Sequence, residues 1–253
     1  MEQYGSFAEI YDELMDIKDY QFWTDNILNI YKKYKFSPRK ILELGCGTGS
    51  MTINLYKEGY SIIGTDISEE MLEIANIKAE EEDLRIRFLL QDMVNITYNR
   101  KVDSVISICD GINYIVTLED LEKTINGIAN ILYDDGIFIF DISTIYKLEN
   151  IIGNNIFHEN FEKFSYIWDN EYNKKTRILQ FELTMFLLND NNTYDRFIEN
   201  HIQRAHSIDE IKQLLKKDFE ILDILNESDL KESKDDDVRI YFIAKRRKRN
   251  NGK

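Results

Sequence analysis

The residues with the clearest chemistry stand at three short places in the chain. Glu43-Leu44-Gly45-Cys46-Gly47-Thr48-Gly49 sets three glycines at alternate positions behind a carboxylate. Without a Cβ, such a backbone can pass close to a ligand. The spacing is G-x-G-x-G. A dinucleotide fingerprint needs G-x-G-x-x-G, and a P-loop needs G-x-x-x-x-G-K-[ST], whereas no lysine follows here. Pyrophosphate and nucleoside triphosphate are therefore disfavoured. Asp66 lies 21 positions after Gly45, at the end of the next apolar run. A carboxylate at that place can accept both hydroxyls of a ribose. Asp92 ends a third run beside Met93. It can accept an adenine amino hydrogen while Met93 packs on the ring. Glu43 can meet a cationic group. The set describes a pocket for an adenosine that carries a positive charge.

Strands must end where these residues stand, and the apolar pattern supplies them. Lys40–Leu44, Tyr60–Thr65, Arg85–Leu90, Val102–Ile108 and Ile137–Ile142 are short apolar runs and read as strands. Tyr20–Tyr34, Ser50–Lys57, Ser68–Glu80 and Leu118–Leu132 read as helices, with Ser68 as an N-cap. Ser37-Pro38 ends the first helix, and Asp134-Asp135-Gly136 reads as the turn after the fourth. Apolar strands alternating with helices predict an α/β fold, a parallel sheet covered on both faces. After Asp141 the rhythm changes. Phe164–Trp168, Thr176–Leu188 and Tyr194–Ala205, separated by Asn-rich turns, read as an antiparallel meander. Ser207 with Glu210 reads as a capping box, and Phe219–Leu225 and Val238–Ala244 as two late strands. The expected division is residues 1–142 with 206–253 as the α/β domain, and 143–205 as an antiparallel β insert.

The motifs resemble those of class I S-adenosylmethionine-dependent methyltransferases. E-L-G-C-G-T-G at 43–49, G-T-D-I-S at 64–68 with Met71, and Q-D-M at 91–93 carry the likeness, strongest over residues 38–142. Phe7-Ala8-Glu9-Ile10-Tyr11-Asp12 resembles the F-A-x-x-Y-D opening of small-molecule members, the sugar-amine and glycine N-methyltransferase-like branch. The resemblance implies a Rossmann-like, doubly wound seven-stranded sheet of order 3-2-1-4-5-7-6, with the last strand antiparallel and a small antiparallel insert after strand 5. It implies S-adenosyl-L-methionine as cofactor, held at Tyr11, Glu43, Gly45, Cys46, Gly47, Asp66, Ile67, Met71, Asp92, Met93 and Cys109. After the fourth strand the chain reads Cys109-Asp110-Gly111-Ile112-Asn113-Tyr114, with Tyr114 where some sugar-amine enzymes place a histidine. Asp110, Asn113 and Tyr114, with His201 and Arg204 of the insert, are the candidates for the acceptor side; the catalytic residue stays unassigned. The insert is expected to cover the cofactor's methyl group, with a dimer surface as its alternative use, so the chain is expected as monomer or homodimer.

Composition narrows the remaining choices. The chain has 253 residues, 43% apolar, with two cysteines, which excludes disordered and disulfide-scaffold classes. Neither a signal peptide nor an apolar run near the roughly 20 residues of a membrane span is visible, so a cytoplasmic protein without membrane attachment is expected. Five of eleven glycines, Gly45, Gly47, Gly49, Gly59 and Gly64, fall within twenty residues, which marks the place of special backbone geometry. Net charge is -14, and six of the 32 basic residues sit in the tail from Lys245 to Lys253. An acidic body repels phosphate backbones, so nucleic acid is an unfavoured partner and a small-molecule acceptor the favoured one. The tail reads as solvated and mobile. With one proline, Pro38, the [DNS]-P-P-[YFW] motif of amino-methyltransferases on nucleic acid is impossible. Cys46 and Cys109 read as ordinary thiols without a base partner. His158, His201 and His206 lack metal-site spacing, so no metal is expected. An RNA or protein methyltransferase and a non-catalytic cofactor-binding subunit remain as alternatives.

Overall fold

Each inner strand of the main sheet sends alternate side chains into two separate cores, which explains why these runs are apolar throughout. The computed structural model describes residues 17–248, with side chains from Tyr20 onward. In chain order the elements are α1 (Ile17–Lys33), β1 (Lys40–Leu44), α2 (Ser50–Lys57), β2 (Ser61–Asp66), α3 (Glu69–Glu81), β3 (Arg87–Leu90), β4 (Val102–Ser107), α4 (Leu118–Ile131) and β5 (Leu132–Ser143). Then follow β6 (Ile156–Asn160), β7 (Phe164–Asn173), β8 (Ile178–Leu188), β9 (Tyr194–Arg204), α5 (Ile208–Leu215), β10 (Phe219–Asn226) and β11 (Arg239–Arg246).

The main sheet runs β10-β11-β5-β4-β1-β2-β3. With β10 and β11 counted as strands six and seven, this is the expected 3-2-1-4-5-7-6. Strands β1 to β5 pair in parallel, and β11 lies antiparallel between β5 and β10. Leu42, Val105, Phe138, Phe140 and Phe242 pack on one face with Leu121 and Ile125 of α4 and Ile211 of α5. Ile41, Ile106, Ile139 and Tyr241 pack on the other with Trp23, Ile27 and Ile30 of α1 and Leu55 of α2. Each fully buried Ile, Leu or Phe contributes about 1.5–3 kcal/mol. Ser68, Thr117 and Ser207 each cap a helix by accepting a backbone N–H, and Glu210 completes the expected box at Ser207.

The second sheet, β6-β7-β8-β9, is antiparallel throughout. Tyr172 and Leu179 on one of its faces are buried with Leu148, Ile152 and Ala205. Two elements here have no counterpart in the sequence reading. The helical turn Lys147–Ile152 is short, entered from Thr144, whose hydroxyl accepts the Lys147 N–H at 3.1 Å, and edge strand β6 is mostly exposed and so shows no alternation.

Two readings are corrected. Asp134-Asp135-Gly136 is not a turn outside the strand but lies within β5, at the register shift between Val102 and Ser104 of β4. Asp135 takes φ 65 there. The basic tail begins as structure. Lys245 and Arg246 belong to β11, Arg246 is buried, and its guanidinium meets the Ala129 carbonyl at 2.9 Å and Asp218 at 3.1 Å. Lys245 pairs with Asp135 at 2.9 Å. A local charge count does not see such partners, which come from distant parts of the chain. Among the described residues no helix is long and apolar enough to cross a membrane. Tyr11 and the F-A-x-x-Y-D motif lie outside the described residues.

Candidate active site

The glycine turn after β1 separates into distinct jobs. Gly45, Gly47 and Gly49 all have positive φ, at 70°, 52° and 75°. A Cβ on Gly49 would stand 2.9 Å from the Ala75 Cβ and from the Phe88 ring, so this glycine lets α2 start against the neighbouring layer. A Cβ on Gly47 would meet nothing within 4 Å. Gly47 faces open space at the crevice described below. Its N–H donates to Asp66 Oδ2 at 2.8 Å, and Ser68 N–H donates to Oδ1 at 3.0 Å. The carboxylate thus ties the end of β2 to the turn after β1. Ile67, next to it, is 70% exposed, and Met71 binds the Ser68 hydroxyl through its N–H. Met93 reaches over the turn, its Cε 3.1 Å from where a Gly45 Cβ would be. Asp92 accepts from Val94 N–H and the Asn95 amide, both at 2.8 Å, and Gln91 Oε1 accepts from Thr97 and Tyr98 N–H. These bonds shape the segment after β3, and Gln91 N–H, donating to the Asp66 carbonyl at 2.8 Å, ties it to the end of β2.

Glu43 is buried and accepts from the Thr52 hydroxyl. Burial, with the negative Asp66 nearby, pushes its carboxyl up to about 8. It lines a crevice with Tyr20, Trp23, Gly47, Met51 and Cys109. Cys46, also on that crevice, has its thiol pushed up by burial and by Glu43. Trp23 and Met51 escaped the sequence reading because their helical spacing marks them only as core.

The loop after β4 is held under strain. Cys109 and Asp110 are consecutive non-glycine residues at φ 68° and 65°, a conformation that costs about 1–3 kcal/mol each. Asp141 compensates from inside β5. Its carboxylate accepts from Cys109 N–H at 3.1 Å and Asp110 N–H at 3.0 Å. Arg239 of β11 then pairs with Asp141, with Asp110 at 2.9 Å and with Glu227 at 3.1 Å. Its guanidinium lies 5.3 Å from the Trp23 ring centroid, and Trp23 Nε1–H donates to Glu227 at 2.6 Å. Burial opposes ionisation of Asp110, but Arg239 and Lys147 outweigh it and hold this carboxyl below the usual range. Burial pushes Asp141 up to about 6, against the pull of Arg239. None of this network except Asp110 was visible as a motif, because Asp141 lies 31 residues beyond Asp110 and Arg239 another 98 beyond Asp141.

The five acceptor-side candidates divide. Asn113 is fully buried, and its amide donates to the carbonyls of Ser143 at 3.0 Å and Arg204 at 2.9 Å and accepts from Ser143 N–H at 2.9 Å. Both its hydrogens are spent on backbone, so it bolts the loop to β5 and β9. Arg204 points to Glu210 at 2.8 Å, beside Arg177 at 2.9 Å, and stiffens the start of α5. Asp110 is engaged by Arg239. Tyr114 and His201 do come together: the Tyr114 hydroxyl lies 3.4 Å from His201 Nδ1. His201 stacks on Phe181 at 4.7 Å, and Phe181 meets Trp168 edge-on at 5.7 Å. His201 Nε2 lies 3.5 Å from Glu199, which is buried on the same face of β9. Glu199 was missed because an isolated Glu in a strand carries no signal until its face is known. Among the described residues no cluster could hold a metal ion.

The open face at Gly47, the carboxylate of Asp66 bonded to its N–H and the buried Glu43 fit a ribonucleoside with a cationic substituent. Comparison with known proteins agrees. A family model described as a methyltransferase domain matches residues 41–136. The methyltransferase-named protein GWCH70_2453 of Geobacillus sp. (strain WCH70) is 34% identical over 245 residues, which is 96% of this chain and 99% of that one. The crystal structure of an S-adenosylmethionine-dependent methyltransferase from Clostridium acetobutylicum has 32% identity and a TM-score of 0.87, covering 97% of this chain and 99% of that one. CalS10, an amino pentose methyltransferase from Micromonospora echinaspora, shares the fold at a TM-score of 0.73 and 13% identity, covering 94% of this chain and 96% of that one.

Proposed function

This chain belongs to the S-adenosylmethionine-dependent methyltransferases, and on that premise we propose that it methylates a small molecule at an amine or hydroxyl. The observation that carries the reading is the seating of the second sheet. His201 of β9 meets Tyr114, and Tyr114 ends the segment whose first residue, Cys109, lines the crevice. In our reading the sheet covers that crevice, and a covered site suits a small acceptor. Aromatic faces of Trp168, Phe181, His201 and Tyr114 supply an apolar wall. The body's acidity argues against nucleic acid.

In this reading Asp66 holds the ribose, Gly45 and Gly47 let the backbone approach, Met93 and Asp92 flank the adenine, and Glu43 faces the charged end. The cofactor supplies an electrophilic methyl group on a sulfonium. The chain's own work is positioning and exclusion of water. The strained loop at Cys109 and Asp110 is fixed by Asp141 and Arg239, and Asn113 bolts it to β9. The two walls of the site are thereby held in one register.

Methyl-labelled S-adenosylmethionine, incubated with the protein and cell extract, tests the acceptor class. After separation by size, label is expected in the metabolite fraction. Label confined to RNA or to protein would overturn the small-molecule reading in favour of those alternatives.

A further inference from the structure

We propose that Tyr114, His201 and Glu199 form a proton-accepting relay on the acceptor side, so that the acceptor is a neutral nucleophile that still carries its proton. The inference rests on the small-molecule reading above and names the chemical state of that molecule. Three residues from two distant segments meet in sequence. Tyr114 Oη is 3.4 Å from His201 Nδ1, and His201 Nε2 is 3.5 Å from Glu199 Oε2. Such contacts tighten when a ligand closes the site. Phe181 stacks on the imidazole at 4.7 Å and 18°, which fixes the ring plane. The ring therefore presents one nitrogen to the phenol and the other to the carboxylate. With Nε2–H donating to Glu199, Nδ1 is free of hydrogen and accepts from Tyr114 O–H.

The electrostatics select the acceptor. Glu199 stands on β9 with His201, Glu70 approaches from α3, and Asp110 approaches Tyr114 from its own loop. Glu199 and Glu70 disfavour an acceptor that arrives as an anion, whereas the charge of Asp110 is already met by Arg239 and Lys147. Burial, with Glu70 close by, pushes Glu199 up to about 7, and burial pushes His201 down. Above neutrality the pair holds one negative charge and has room for one proton, a property of the pair rather than of either residue. As the acceptor's lone pair bonds to the methyl carbon, the carbon's former bonding pair goes to the leaving group. The acceptor's proton passes to Tyr114 Oη while Tyr114 gives its own proton to His201 Nδ1. The imidazolium charge is met by Glu199. Protons and electrons balance without oxidant or reductant.

Nitrogen NMR of the imidazoles tests the relay without any acceptor. The chain has three histidines; His201→Gln identifies the signal of His201, and His206 is set apart by a midpoint near 4. His201 is expected as the Nε2–H form above pH 7, with two titration steps, the upper one near 7. Glu199→Gln should abolish the upper step, and Tyr114→Phe should shift the Nδ1 resonance, both with binding of S-adenosylhomocysteine retained. A hydrogen on Nδ1, or a single step indifferent to both substitutions, would overturn the relay. Failure of the small-molecule reading would show separately, as label on macromolecules with the imidazole behaviour unchanged.

Discussion

Replacing Arg239 by Met removes the cation from the centre of the loop clamp while keeping a side chain of similar length against Trp23. Arg239 has 8% of its side chain exposed, and its partner Asp141 has none. Removing one member of a buried pair leaves an uncompensated charge, and the general cost is about 3–5 kcal/mol. The lower end applies here. Asp141 retains the N–H groups of Cys109 and Asp110, and Lys147 remains near Asp110 through Ser143, at 2.9 Å and 2.7 Å for the two bonds. A loss of about 3 kcal/mol at pH 7 is expected, as a lower urea midpoint with unchanged slope.

The pH dependence has a definite sign. Without Arg239 the Asp141 carboxyl rises further above its unfolded value, and Asp110 loses the cation that holds it low. Between the unfolded value and the raised one, the folded protein binds more protons than the unfolded chain, so stability increases as pH falls. Asp141 already sits near 6 with its cation present. The deficit of Arg239→Met should therefore shrink between pH 7 and pH 5. Adding Asp141→Asn should also recover part of it, since the amide needs no counter-charge. A loss under about 1 kcal/mol at pH 7, or one that grows on acidification, would refute the view that the pair fixes the loop.

Asp66→Ala should weaken S-adenosylhomocysteine binding by about 1–3 kcal/mol in calorimetry, through lost ribose hydrogen bonds and a loosened Gly47; unchanged affinity would remove Asp66 from the site. Glu43, pushed up to about 8, is mostly protonated at pH 7 before binding. A cationic ligand beside it lowers that value, so binding of S-adenosylmethionine should release a proton and strengthen as pH rises from 6 to 8. The check is a binding enthalpy that changes with the ionisation enthalpy of the buffer.

The proposed cofactor half of the site rests on local residues. Glu43, Gly47 and Asp66 stand at the ends of β1 and β2, and a short window of sequence contains both the strand and the residue that ends it. The sheet order followed from the family likeness. The acceptor half was not legible in the same way. Tyr114 and His201 are 87 residues apart, and no local pattern joins them. Asn113 and Arg204 have the chemistry of substrate contacts, yet the structure spends them on backbone and on Glu210. A polar residue near a site is as readily part of its scaffold as of its surface, and only its partners decide which. Glu199 shows the converse, a glutamate without a motif that the register of β9 places beside His201.

The segment from Cys109 to Tyr114 joins the two halves, and its conformation explains why so much charge is buried behind it. Its first residue lines the crevice beside Glu43 and Gly47, and its last meets His201. Between them the chain must turn sharply, and it does so with two left-handed non-glycine residues. Glycine at 109 or 110 would relieve that strain but would also free the backbone to move. The chain instead keeps side chains there, and Asp110 itself becomes a ligand of the arginine that holds the turn. The strain and the buried ion network are thus one device. Rigidity of the loop is secured from β5 and β11, through Asp141 and Arg239. A buried charge network is a poor source of net stability; its return here is a fixed distance between the crevice at Glu43 and Gly47 and the contact of Tyr114 with His201.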